Sequence, residues 1–268
     1  MCRTIVITSG KGGVGKSSMT INLGYALANM NKKVCLIDAD FGLKNLDVML
    51  GLENRVIFDL KDVISNKCSL QQILVKDKRM QSLYLLPACK SLSFENLNLD
   101  YMINMVEQLK QEFDYILIDS PAGIEKGFQY ASSLSKEAII VVNLDTVSLR
   151  DADRVVGLLL KQGVDHLHML VNKYNESDVL KGRCPSLKEA YDILSIPLIG
   201  IVYEEHDMIE ANNKGMPIYM NKKENIYRCF DRIVKRLEGQ EIPFQKNKRK
   251  PLLERSFLDN IFLFSFIS

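Results

Sequence analysis

Apolar runs recur along the chain, and most stop at a small, polar or acidic residue. Thr4-Ile5-Val6-Ile7-Thr8, Lys33-Val34-Cys35-Leu36-Ile37-Asp38, Leu83-Tyr84-Leu85-Leu86-Pro87 and Asp114-Tyr115-Ile116-Leu117-Ile118-Asp119 are four of them. Glu137-Ala138-Ile139-Ile140-Val141-Val142-Asn143, the stretch 166–173 and Pro197-Leu198-Ile199-Gly200-Ile201-Val202 continue the series. Runs without apolar/polar alternation predict strands covered on both faces. Between them, helical periodicity predicts helices starting near Ser17 and over about 58–65, 70–75, 100–112, 148–162, 206–214 and 224–237. Strands alternating with crossovers of this length predict a doubly wound α/β fold, its mostly parallel sheet flanked by helices. No repeat or low-complexity linker interrupts it. One domain over 1–238 is expected, followed over 239–268 by a linker, a basic cluster and an amphipathic tail.

The first strand leads into Ser9-Gly10-Lys11-Gly12-Gly13-Val14-Gly15-Lys16-Ser17-Ser18 and then a helix. Strand, glycine-rich loop, helix is the context that gives a G-x-x-x-x-G-K-[ST] match its meaning. Glycines reach positive φ, so successive N–H groups turn inward around an anion, and the helix adds its positive dipole end. Lys16 supplies charge for the β- and γ-phosphates, and the Ser17 hydroxyl is placed to ligate Mg²⁺. The loop is read as a nucleoside triphosphate site.

Asp38 and Asp40 follow the second strand, and Asp119 ends the fourth, ahead of Ser120-Pro121-Ala122-Gly123. In an open α/β sheet, ligands bind at the carboxyl ends of the strands. Either of the first two acids alone equally fits a helix cap or loop solvation. Asp119 decides the matter: a strand-terminal aspartate of this kind holds Mg²⁺ through water, and the glycine loop after it senses the γ-phosphate. Asn172 ends a strand at the same sheet edge, where an amide suits an adenine ring. His166 and His168 share a sheet face without a completing ligand and are read as structural. Arg150, Asp151, Asp153 and Arg154 are expected on the exposed side of their helix.

Composition narrows the classes. The chain has 268 residues with 35 basic and 33 acidic side chains, a formal charge of +2 that does not mark a nucleic-acid binder. The six cysteines are scattered without a C-x-x-C pair, which argues against zinc, iron–sulfur and disulfide frameworks and fits a reducing compartment. With the first strand expected almost at Met1, no signal or transit peptide is expected. No run reaches the ~20 apolar residues that span a bilayer.

From Glu238 the character changes. A linker over 239–244 is followed by Lys246-Asn247-Lys248-Arg249-Lys250, then by an apolar segment after Pro251. On a helix, Leu253, Phe257, Ile261 and Phe264 share a face, whereas Leu258, Phe262 and Phe266 do not. Two readings fit: a helix docked on the protein's own surface, or one lying in a membrane interface with the preceding cations on anionic lipid at about 1 kcal/mol each.

Lys11 in the pattern Lys-Gly-Gly-x-Gly-Lys-Ser resembles the deviant Walker A loop of the partition-type ATPases. Together with Ile37-Asp38-Ala39-Asp40-Phe41-Gly42-Leu43-Lys44-Asn45-Leu46-Asp47, Asp119-Ser120-Pro121-Ala122-Gly123-Ile124-Glu125 and Ser148-Leu149-Arg150-Asp151-Ala152-Asp153-Arg154, it makes the chain similar, over about 1–244, to the MinD family of septum site-determining ATPases. The resemblance implies a Mg²⁺-dependent ATP hydrolase working as an ATP-sandwich homodimer. Its implied partners are a MinC-like inhibitor, a MinE-like activator and an anionic membrane surface, with no nucleic acid.

Residue by residue, the resemblance implies that Lys11 reaches the partner's phosphates, Lys16 binds its own, and Asp40 positions or activates the attacking water. Ser17, Asp38 and Asp119 serve the metal. Gly10, Lys11, Gly12, Gly13, Val14, Gly15, Lys16, Ser17, Ser18 and Asn172 hold ATP. Asp151 and Asp153 fall where partners dock, and Leu253, Phe257, Ile261 and Phe264 on the membrane face. The chain departs from the pattern at Tyr203 and Leu144, where prolines are usual, and in a longer, less basic tail. The implied location is the inner face of a plasma membrane, or a plastid stroma and inner envelope for an organelle-encoded copy.

Three competing readings remain at this stage. A DNA-partition ATPase needs a basic surface. An electron-transfer iron protein needs paired cysteines beyond Asp119. A nucleotide-locked membrane scaffold shares every motif and differs only in turnover.

Overall fold

The computed structural model describes residues 1–40, 46–88, 98–205, 207–221 and 224–244. The chain runs β1 (Arg3–Thr8), α1 (Lys16–Asn29), β2 (Val34–Asp38), α2 (Leu46–Met49), α3 (Leu60–Ile64), α4 (Leu70–Ile73), β3 (Val75–Lys76) and β4 (Leu83–Leu86). It continues through α5 (Leu99–Leu109), β5 (Tyr115–Asp119), α6 (Lys126–Ser132), β6 (Glu137–Val142), α7 (Thr146–Lys161) and β7 (His166–Tyr174). Then come α8 (Glu176–Leu180), α9 (Leu187–Leu194), β8 (Leu198–Tyr203), α10 (Asp207–Asn213) and α11 (Glu224–Leu237).

Among the described residues the strands form one eight-stranded sheet in the order β3-β4-β2-β5-β1-β6-β7-β8. Every pairing is parallel except β3 with β4. The predicted doubly wound sheet is therefore present. Its apolar runs are buried on both faces: β1, β2, β5 and β6 each carry at least four consecutive side chains shielded from solvent.

Helices cover both faces. α1, α2, α10 and α11 pack on one side through Met19, Leu27, Leu46, Ala211 and Phe230; α3 to α7 and α9 pack on the other through Leu60, Ile73, Val106, Phe128, Leu149 and Leu187. The chain leaves β1 toward one face and β5 and β6 toward the other, so the crevice of a doubly wound sheet opens at the carboxyl end of β1.

Three expectations change. The helix expected over 70–75 stops at Ile73, and Val75 instead pairs with Leu85 in the antiparallel edge strand. α8 and α9 are not predicted above, although α9 begins with a capping box of Ser186 and Glu189 that the sequence displays. The expected linker after α11 is packed: Arg236 donates to the carbonyls of Ile242 and Pro243 and lies 3.8 Å from the Phe244 ring centroid, and Phe244 is 8% exposed.

Gly200 of β8 shows how tightly α11 seats. A Cβ there would lie 2.2 Å from Ile233 Cγ1. Gly200→Ala is expected to cost about 1–3 kcal/mol through overpacking. The thermal midpoint should fall by several degrees, with partial recovery when Ile233→Val is added.

Candidate nucleotide site

β5 lies between β1 and β2, so Ile7 and Asp38 are both register partners of Asp119. The glycine loop leaving β1, the acid ending β5 and the acid ending β2 therefore meet at one level of one sheet edge. Gly13 and Gly15 take positive φ of 77° and 99°. Gly15 caps α1 without any side-chain hydrogen bond, and no acid occupies the first turn. The first amides of α1 thus lack a side-chain partner and surround a place for an anion.

Lys16 is 9% exposed. Burial lowers its pKa from the ordinary ammonium value, and the charges of Asp119 and Asp40 oppose that shift. Asp40 shifts upward through burial, against the pull of Lys16. Asp119 is 1% exposed and is raised from 3.8 to about 7. Burial is the main cause and repulsion from Asp38 adds to it, while hydrogen bonding to Ser17, the charge of Lys16 and hydrogen bonding to Thr20 oppose it.

Asp38, expected to serve the metal, also fits the helix-cap alternative. Its Oδ1 accepts the Asp40 N–H at 3.1 Å and its Oδ2 accepts the Leu46 N–H at 3.2 Å. It pins the two described ends of the Asp40 loop. Ser17 and Asp119 are hydrogen-bonded to each other. Among the described residues no cluster of three or more His, Cys, Asp or Glu side chains could hold a metal alone. Mg²⁺ is usually held by one or two protein groups plus substrate phosphates and water. A buried carboxylate with a pKa near 7 is the kind of acid such an ion would stabilise in its charged form.

Lys11 extends from the loop rim to Asp145, with Nζ 3.3 Å from Oδ1 and both side chains 41% exposed. Such a pair is worth about 0–1 kcal/mol, so Lys11 leaves it at little cost. Gly12 faces Ala122, Gly123 N–H donates to the Ser9 carbonyl at 3.2 Å, and Ser120 N–H to the Ile7 carbonyl at 3.1 Å. Beyond that loop lies a cavity of about 550 Å³ lined by Pro121, Ala122, Glu125, Lys126, Gly127, Phe128 and Gln129.

Asn172, 4% exposed, donates from Nδ2 to the Val14 carbonyl at 2.8 Å, and a Cβ on Gly15 would come within 2.5 Å of that nitrogen. It braces the loop from beneath. Lys173 braces it again, Nζ to the Gly13 carbonyl at 3.1 Å. On α7, Asp153 is exposed and Asp151 half-buried. Gly10 packs so closely on Asp151 that a Cβ would lie 2.4 Å from its carbonyl. His168 is shifted down by burial, while His166 is exposed. Leu253, Phe257, Ile261 and Phe264 lie outside the described residues.

Sequence reasoning missed Thr20, whose hydroxyl is 3.1 Å from both Asp119 Oδ1 and the Lys16 carbonyl and donates to one at a time. It sits one helical turn after Lys16, so its face was legible. Asp145 carried the local signal of a helix N-cap, accepting the Ser148 N–H at 2.8 Å, and none for its pairing with Lys11.

A family model described as an AAA domain matches residues 2–167. The septum site-determining protein MinD of Synechocystis sp. is 48% identical over 245 residues, covering 91% of this chain and 92% of that one. The chain belongs to the MinD family. This is a family of P-loop ATPases, which accounts for the loop and for the acids around it. Solved structures agree. The MinD of an Aquifex aeolicus MinC:MinD cell division protein complex has a TM-score of 0.85 at 44% identity, covering 91% of this chain and 99% of that one. The Pyrococcus horikoshii MinD complexed with Mg-ADP has a TM-score of 0.78 at 29% identity, covering 90% and 100%.

The raised Asp119 carries a pH signature. An acid whose pKa is higher folded than unfolded favours the native state below its unfolded value and loses that contribution as pH rises toward the folded value, here from 3.8 to about 7. Without nucleotide, the thermal midpoint of Asp119→Asn should fall less than that of the unaltered protein between about pH 5 and pH 8. Parallel curves for the two proteins would contradict the assignment.

Proposed function

We propose that this chain is an ATP-dependent, dimerising ATPase of division-site placement that associates with a membrane when bound to ATP. The observation that carries it is the glycine loop at an uncapped helix start, with a second lysine on its rim in a half-exposed ion pair with Asp145. Val14 and Gly15 form the loop floor on Asn172, which also reaches adenine at the same edge. Lys16 and the loop amides take up the phosphates, and Gly10, Gly12, Gly13 and Ser18 shape the cradle. Ser17 and Asp119 would hold Mg²⁺, which would supply neutralisation of charge on the phosphate oxygens. Asp40, fixed by the Asp38 carboxylate, orients the attacking water.

Lys11 exchanges Asp145 for the phosphates of a second copy, so catalysis needs the dimer. Gly10 packs against Asp151, which places the loop in contact with the helix that docks partners through Asp151 and Asp153. Those partners are a MinC-like inhibitor, in keeping with the MinC:MinD complex of the Aquifex relative, and a MinE-like activator. The ATPase domain spans 1–238 and the tail 239–268 is the membrane element, with Leu253, Phe257, Ile261 and Phe264 on its apolar side. A single short anchor binds weakly, and pairing two on one dimer gains about 10²–10⁴ in avidity. No described helix is long and apolar enough to cross a membrane, which suits peripheral attachment.

Co-sedimentation with anionic liposomes in ATP and in ADP tests this. The intact chain should pellet with ATP alone, and both Lys11→Ala and a chain ending at Phe244 should stay in solution. Pelleting that ignores the nucleotide would refute a dimer-gated switch, and absence of pelleting would refute the membrane role.

A further inference from the structure

The turn between β3 and β4 carries a buried polar knot that the nucleotide motifs leave unexplained. Asp77, 2% exposed, accepts the N–H groups of Arg79 at 2.7 Å and Met80 at 2.9 Å, and its Oδ2 lies 3.1 Å from Arg79 Nη2. The guanidinium, so held, forks. Nη1 donates to the Gly215 carbonyl at 2.8 Å and Nη2 to the Leu50 carbonyl at 2.6 Å, with the Tyr25 ring centroid 5.7 Å from its carbon.

The two carbonyls belong to two helix ends. Leu50 directly follows α2, and Gly215 lies just beyond α10. Gly51 and Gly215 both hold positive φ, 61° and 59°, and meet backbone to backbone: a Cβ on Gly215 would lie 2.8 Å from Gly51 Cα. Helix C-termini present carbonyls that favour a cation. One guanidinium satisfies both ends at once, which the compact charge of lysine cannot do with the same planar geometry.

Both arms lead back to the nucleotide loop. α2 starts at Leu46, whose N–H is held by the same Asp38 carboxylate that holds the Asp40 N–H. α10 carries Asn212, whose Nδ2 donates at 2.9 Å to the hydroxyl of Ser18, in the helix that begins with Lys16. We infer that Arg79 is a positioning residue for ATP hydrolysis: by tying α2 to α10 it fixes the start of α2, and through the Asp38 carboxylate shared by the Leu46 and Asp40 amides the place of Asp40, relative to the phosphate-binding helix. The inference rests on the reading of Asp40 as the group that orients water. Arg79 itself bonds to none of the loop residues that hold phosphate, so its loss should misplace the acid without emptying the site.

The experiment is steady-state ATP hydrolysis by the full chain, varying ATP, for the unaltered protein, Arg79→Lys, Arg79→Ala and Asp40→Ala, with thermal midpoints recorded in parallel. Misplacement by a fraction of an ångström to an ångström is expected to lower kcat of both Arg79 variants about 10- to 100-fold. KM should stay within about threefold, because ground-state binding is retained. Millimolar guanidinium should restore part of the kcat of Arg79→Ala, and sodium at equal concentration should not. Should Arg79→Ala fail to fold, Arg79→Lys carries the test through the split between kcat and KM. Unchanged kcat in the Arg79 variants beside an inactive Asp40→Ala would overturn this inference alone. So would a loss of activity that follows the thermal midpoint with no guanidinium rescue. Full turnover by Asp40→Ala would overturn the reading of Asp40 and this inference with it.

Discussion

Asp38 and Asp119 stand side by side at the end of a dry sheet, each 1% exposed and in register across β2 and β5. Like charges so placed raise one another's cost, and each needs its own form of relief. Asp38 finds it in two backbone amides, and in doing so fixes where the Asp40 loop leaves and returns. Asp119 finds only part of it in hydroxyl groups and a buried lysine, and stays poised near neutrality. The rest of the site shares that imbalance: an uncapped helix start and a buried lysine between acids at the same edge.

The parts legible in the sequence are those in which local pattern and burial coincide. Central parallel strands are covered on both faces, so β1, β2, β5 and β6 announce themselves as unbroken apolar runs, and the glycine loop announces the turn after β1. The parts that were not legible depend on distant partners. Phe244 reads as linker until Arg236 is seen against its ring. Val75 is one of two residues in an edge strand and exists as a strand because β4 lies beside it. Asn172 shows its bracing role only when Val14, far away in sequence, is brought beneath its amide. The α9 capping box is different, since Ser186 and Glu189 carry that signal locally. The role of Arg79 had no local signal, because it acts on helix ends contributed by other parts of the chain; the hold of Asp38 on the amides of Asp40 and Leu46 is the helix-cap alternative that its local sequence offered.

Lys11 and Gly10 attach the loop to α7 by two contacts of different character. The Gly10 contact is close and steric, fixed by backbone shape, and it has no tolerance for a side chain. The Lys11–Asp145 pair is exposed and weak. A rigid contact transmits a shift in the loop, whereas a weak one releases a residue without disturbing the fold. Neighbouring positions in one loop thus divide two tasks that a single stronger bond would set against each other.

The clamp on Phe244 has a geometric consequence. α11 runs antiparallel to β8 and ends beside the start of that strand, where Arg236 also donates to the Ile199 carbonyl at 2.9 Å. The chain therefore departs the domain at a fixed point on the side of the sheet opposite the glycine loop. A force applied beyond Phe244 would thus enter the fold through α11 and β8 at the strand starts, away from the glycine loop at the strand ends.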